Sequence, residues 1–278
     1  MTRKQLRRQL RDAGRGLGSR LGLARPVTYV VSFPKCGRTW LRLMLGVYLA
    51  RHYQLARTDY LNVKEFWRDH PAIPPLDFYH DDKPYKRTPE ELKADKRRYR
   101  HSNVVLLVRD PRDVALSRFY AVKHREHGEG YAGGLGEYLR EPRGSFRSIV
   151  AYTRLWLAQR DVPRRFLLLR YEDLHRDAAT ELRRVLELLG VEKVREDLLR
   201  EAIEYSRFDN MRRLEEQDAF QKRTLRAAVS GDERSYKTRK GRVGDHKAEV
   251  APEDQAWMDA ILAAELPVEL GYGPAPKA

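Results

Sequence analysis

The chain is predicted to be α/β, a central parallel β-sheet flanked by helices, on two observations. Three short apolar runs, Val27–Phe33, Asn103–Val108 and Arg165–Leu174, are rich in valine and leucine and read as strands, the first two buried on both faces. Each is followed by a stretch with helical spacing. Strands that alternate with helices form a parallel sheet, and such sheets bind ligands outside the carboxyl ends of their strands.

The elements follow in order. After the first run, Trp40, Leu43, Met44 and Val47 fall at i, i+3, i+4 and i+7, which predicts a helix over Thr39–Ala50. After the second, Val114, Leu116, Phe119 and Tyr120 predict another helix, with Pro111 at the strand-to-helix corner and Asp113 as its cap. Phe146, Ile149, Val150, Thr153 and Trp156 share one helical face. The third run is followed by "AATELRRVLELLG", whose Gly190 stands where a helix ends. Two segments break the pattern: Tyr120–Tyr138, glycine-rich and read as a mobile surface loop, and Leu225–Lys247, basic and punctuated by glycines. Loops of that length inside a compact domain are commonly functional or disordered.

Composition narrows the function classes. The 278 residues carry a net charge of +15 and 41% hydrophobic residues, long enough for a full core and too apolar for general disorder. No apolar run approaches the roughly 20 residues a membrane-spanning helix needs. The single cysteine, Cys36, excludes an internal disulfide and a cysteine-based zinc site, and no secretory leader follows Met1, so a cytoplasmic setting is expected. His124 and His127 are spaced H-x-x-H with no further ligands near them, so no metal is expected.

The positive charge implies an anionic partner. Residues 1–26 hold eight lysines and arginines against Asp12 alone, and form a basic tail ahead of one domain spanning 27–278. The tail reads as a frayed basic helix, with weak contact to an anionic membrane surface as the second reading.

The first strand runs into "SFPKCGRTWLR", Ser32–Arg42. A nucleotide-binding P-loop places its lysine after the second glycine. Here Lys35 precedes the only glycine, Gly37, so a P-loop kinase or NTPase is disfavoured. Strand, tight turn and helix still make an anion site, because the backbone N–H groups and the helix dipole both face negative charge.

Four blocks in order, "SFPKCGRTWLR", "VRDPRDVALSRFY" (Val108–Tyr120), "LRYEDLHRD" (Leu169–Asp177) and "RKGRVGDHK" (Arg239–Lys247), resemble the sulfotransferases that use 3′-phosphoadenosine 5′-phosphosulfate (PAPS). The resemblance runs from about Val27 to Trp257 and implies a P-loop-NTPase-like sulfotransferase fold. It also implies transfer of sulfonate from PAPS to a hydroxyl, with an amine as second choice, and release of 3′,5′-ADP (PAP) without a metal. It implies that Lys35, Cys36, Gly37, Arg38 and Thr39 hold the 5′-phosphosulfate, with Lys35 at the oxygen bridging phosphorus and sulfur. Trp40, Tyr171, Ser206 and Phe208 would lie near the adenine. Arg109, Ser117, Arg239, Lys240 and Gly241 would hold the ribose 3′-phosphate.

The base remains to be chosen among His52, His70, His80 and His101, all in the interval where many members keep a catalytic histidine. His80, in "DFYHDDKPY", stands at the family-like distance before Arg109, with Asp81 or Asp82 as the alternatives. Many members carry a lysine two residues before that histidine; this chain has Phe78, which leaves open a second cation on the sulfonate. Cys36 stands where serine is usual. It is either a tolerated serine substitute or, beside Lys35 at a helix N-terminus, a thiol of lowered pKa. No motif names the acceptor, whether small molecule, lipid or saccharide, or the oligomeric state. A nucleic-acid-binding protein would suit the charge, but much of it lies in the tail and no recognised module is visible, so no nucleic-acid partner is expected.

Overall fold

The computed structural model describes residues 25–125, 130–220, 225–226, 236–238 and 240–273. The basic tail up to residue 24, His127 and Arg239 therefore lie outside the described residues.

Four parallel strands form one sheet in the order β2-β1-β3-β4, with β1 Thr28–Val31, β2 Leu76–Tyr79, β3 Asn103–Val108 and β4 Arg165–Arg170. Every residue of β3 is buried, as its unbroken "NVVLLV" requires. Its register pairs Val31 with Leu106 and Val108 with Arg170. At the foot of the sheet, Asn103 Nδ2 donates to Leu188 O at 3.2 Å.

The sequence missed β2. It is only four residues long and includes Asp77, so it offers no apolar run. Pairing supplies it: Pro74 and Pro75 enforce an extended entry, and Thr28 N–H donates to Pro75 O at 2.8 Å. The third strand is also shorter than expected. It stops at Arg170, and Tyr171 opens a short helix instead.

From β1 the chain adds β2 on one side and β3 on the other, so neighbouring crossovers diverge between β1 and β3. That is the switch point at which open α/β sheets bind ligands. The helices around it are α1 Arg38–His52, α2 Val63–Asp69, α3 Pro111–His124, α4 Leu135–Arg140, α5 Phe146–Ala158, α6 Tyr171–Arg176, α7 Ala178–Leu189, α8 Glu196–Tyr205, α9 Phe208–Glu216, α10 His246–Glu249 and α11 Pro252–Glu265. The predicted face of α5 is buried throughout, from Phe146 to Trp156. Gly190 closes α7 at φ 80°, the left-handed cap its position predicts.

Two loop readings are corrected. Tyr120–His124 completes α3, and Leu135–Tyr138 belongs to α4, so the glycine-rich loop is shorter than its composition suggests. The second basic segment is tied to α9: Glu215 accepts hydrogen bonds from the backbone N–H groups of Lys237 (2.7 Å) and Thr238 (2.9 Å). No described helix is long and apolar enough to cross a membrane.

Candidate active site

The carboxyl ends of β1 and β3 open into a cleft of about 1570 Å³. Its floor is the turn between β1 and α1. Lys35 and Gly37 both take positive φ, 79° and 91°, which curls the chain so that α1 begins with its N–H groups facing the cleft. Only glycine fits the second position: a Cβ on Gly37 would stand 2.6 Å from Cδ2 of Tyr171. No acidic residue occupies the first turn of α1, so nothing in the turn competes for the helix dipole.

Lys35 lines this cleft half-buried. Burial, with the charges of Arg125 and Arg118 nearby, lowers its ammonium to about 7. Cys36 is placed differently from the sequence expectation. Its thiol is 3% exposed, packs in the core and does not line the cleft. Desolvation pushes it up to about 12, the opposite of a reactive thiol. Only its backbone can serve the turn.

His80 follows the edge strand β2 and reaches the same cleft. Its Nδ1–H donates to Ser32 O at 2.9 Å, which fixes the neutral tautomer and leaves Nε2 with its lone pair. Burial, then the charge of Arg38, lowers its pKa to about 3. The two alternative bases are engaged elsewhere. Asp81 is buried against Lys96 (2.8 Å), the Tyr99 hydroxyl (2.9 Å) and Arg98, and Asp82 pairs with Arg87 at 3.1 Å. Neither lines the cleft.

The opposite wall is built from the end of β3 and from α3. Asp110, not Asp113, caps α3, accepting from Arg112 N–H at 2.9 Å. This frees Asp113 for another task. It is buried and receives four donors: Arg109 Nη2 (3.1 Å), Gly244 N (2.8 Å), His246 N (3.1 Å) and His246 Nδ1 (2.9 Å). One carboxylate thus clamps the late basic loop onto the corner after β3. Burial alone would raise Asp113, but the His246 hydrogen bond, the Arg109 charge and the backbone donors outweigh it and hold it well below the carboxylate range. Arg109 also stacks 4.5 Å over the Tyr171 ring and donates to Arg242 O at 2.8 Å. Its Nε is buried without a hydrogen-bond partner among the described residues.

The remaining expected residues divide cleanly. Thr39, Trp40, Ser117, Tyr171, Ser206, Phe208, Lys240 and Gly241 all line the cleft with Arg109. Trp40 stands edge-on to Tyr171 at 5.7 Å, part-buried, so it packs and still presents a face. The Tyr171 hydroxyl donates to Gly241 O at 3.3 Å, Ser206 Oγ is buried without a partner among the described residues, and Phe208 is 38% exposed beside Gly241. Lys240 pairs with Glu249. Arg42, Arg118, Arg125 and Lys237 also line the cleft and were not singled out from sequence. Arginines at helical spacing read as a solvated face, and only the fold turns them inward.

The family of sulfotransferase domains matches residues 25–267. Cytosolic sulfotransferase 17 of Arabidopsis thaliana is 26% identical over 265 residues, covering 84% of this chain and 72% of that protein. Sulfotransferase 2A1 of Rattus norvegicus is 28% identical over 169 residues, 59% of this chain and 57% of its own. Among solved structures, mouse sulfotransferase SULT7A1 complexed with PAP superposes with a TM-score of 0.59 at 18% identity, covering 87% of this chain and 84% of its own. The sheet and its flanking helices are those of the sulfotransferase fold.

Proposed function

The chain belongs to the sulfotransferase family, and we propose that it transfers sulfonate from PAPS to an acceptor hydroxyl, releasing PAP. The observation that carries this reading is the convergence in one cleft of the N–H-lined turn at Gly37, the tautomer-fixed His80 and the Arg109–Ser117 wall. Buried Arg109 Nε and Ser206 Oγ, each lacking a partner among the described residues, fit a polar ligand that would satisfy them. PAP in the mouse relative supports the same choice of nucleotide.

The chemistry distributes over the walls. The turn from Gly37 to Thr39 would hold the 5′-phosphosulfate on backbone N–H groups, and Arg109, Ser117 and Lys240 would hold the 3′-phosphate. Arg239 is proposed for the same phosphate from its sequence block alone. Trp40, Tyr171 and Phe208 would bracket the adenine. His80 Nε2 takes the proton of the acceptor hydroxyl as its oxygen bonds to sulfur. The bond from sulfur to the bridging oxygen breaks, its electron pair stays on the 5′-phosphate oxygen, and Lys35 neutralises that charge.

His80 is a weak base in the free protein because it is buried and, second, because the charge of Arg38 lies close by. The donor's negative charge opposes Arg38 and its neighbours, and so raises His80 toward a useful value in the complex. Incubating the protein with radiolabelled PAPS and a panel of hydroxyl acceptors tests the reading. The wild type should release PAP with label transferred, and His80→Ala should lose ~10²–10⁴-fold in turnover while still binding PAP. Undiminished turnover in that variant would remove His80 from the mechanism.

A further inference from the structure

The donor does not account for all of the positive charge in the cleft. Among the described residues, eleven lysines and arginines line it against three aspartates. A doubly phosphorylated adenosine with its sulfonate brings about four negative charges. Several of the cations already have carboxylates: Arg109 has Asp113, Arg125 has Glu215 and Lys240 has Glu249.

Arg38 and Arg42 have no such carboxylate among the described residues. They stand four residues apart on α1, so both side chains leave the same helical face. Both line the cleft with His80. Arg38 Nη1 and Arg42 Nε are shut off from solvent and have no hydrogen-bond partner among the described residues. Arg42 lies 4.4 Å over the ring of Phe78, two residues before His80, which holds the guanidinium in place from below. Asp77, the carboxylate whose charge reaches both arginines, is committed to Lys64 and to the backbone N–H of Phe78. Burial and mutual repulsion lower Arg38 to about 9, and burial lowers Arg42. Two neighbouring guanidiniums, desolvated and without a carboxylate, are costly unless an anion completes them.

Resting on the sulfotransferase reading, we propose that the acceptor is itself an anion. Its carboxylate, phosphate or sulfate group is gripped by the Arg38–Arg42 pair so that its hydroxyl reaches His80. Guanidiniums suit such a group because their planar forks meet an oxyanion with paired hydrogen bonds. Phe78, where a lysine was expected, thereby has a role: it supports Arg42 beside the acceptor.

The test uses acceptor pairs that differ only in an oxyanion: a hydroxybenzoate against its methyl ester, a sugar phosphate against the sugar, a sulfated saccharide against the unsulfated one. With the donor site filled by PAP, an anionic member should raise the melting temperature of the wild type and not of Arg42→Met. In turnover the anionic member of at least one pair should lead by tenfold or more in kcat/KM. Arg42→Met should erase that lead through KM, and Arg42→Lys should restore part of it. PAP affinity should change less than twofold in both variants. Neutral acceptors that perform as well, or no shift by any anionic member, would overturn the proposal while PAP binding leaves the family reading intact. Loss of PAP affinity in Arg42→Met would assign the pair to the donor and also overturn it. A wild type that fails to bind PAP would overturn both readings.

Discussion

Replacing Asp113 with Asn separates the clamp from simple packing. The two residues have nearly the same shape, but the carboxylate accepts on both oxygens. Oδ2 receives Arg109 Nη2 and Gly244 N, and Oδ1 receives the backbone N and Nδ1 of His246. An amide can serve one pair and must point its own NH₂ at the other. Two charge-assisted hydrogen bonds are then lost, at about 1.5–3 kcal/mol each. For a domain of this size 1 kcal/mol moves the melting temperature by roughly 2–4 °C, so a fall of about 6–24 °C is expected. The sign with pH is fixed. Asp113 is held below its ordinary 3.8, so its contribution is complete above that value and is lost as pH falls through the lower folded value. Calorimetry of wild type and Asp113→Asn should show a gap that is constant near neutrality and shrinks below pH 3.8. PAP affinity should also fall, since the clamp holds Arg109 and the loop bearing Lys240 together. A melting temperature within 2 °C of wild type, with unchanged PAP affinity, would refute the clamp.

Other outcomes follow from the same geometry. Because Lys35 is lowered to about 7 in the free protein, PAP binding above pH 7 should take up a proton, seen as a dependence of binding heat on buffer ionisation enthalpy; equal heats across buffers would contradict it. Lys35→Met should cost ~10²–10³-fold in turnover with a smaller loss in PAP affinity, measured by single-turnover kinetics. The acid limb of kcat/KM for PAPS, which reports the free enzyme, should lie below the 6.5 of free imidazole, because His80 is lowered there. Gly37→Ala should abolish the PAP-induced thermal shift, since the new Cβ meets Tyr171 at 2.6 Å in a backbone conformation at φ 91°. Cys36, with its thiol pushed up to about 12, should resist thiol reagents at pH 8 in the native protein and react on unfolding.

What the sequence disclosed and what it hid have physical causes. Strands buried on both faces, such as β3, are written in unbroken apolar runs, and the helices after them show their periodicity. The turn at Lys35–Thr39 is marked by residue types whose spacing matters, so its place under the cleft could be foreseen. The edge strand β2 could not, because its pairing with β1 does not show in four mixed residues. Arg42, Arg118, Arg125 and Lys237 were hidden for another reason. Charged residues at helical or loop positions ordinarily face water, and only the closure of α1, α3 and the late loop around one cleft makes them interior. Asp113 illustrates both sides: its position beside Arg109 was visible, but its bond to His246 spans 133 positions of sequence.

The sharpest measurement is a calorimetric titration of PAP against ADP, two nucleotides that share adenine and ribose and differ in where the second phosphate sits. Placing a phosphate at the ribose 3′ position should satisfy Arg109 and its neighbours and improve affinity by more than a hundredfold, the equivalent of about 3 kcal/mol. Equal affinity for the two, or a preference for ADP, would contradict the assignment of this cleft.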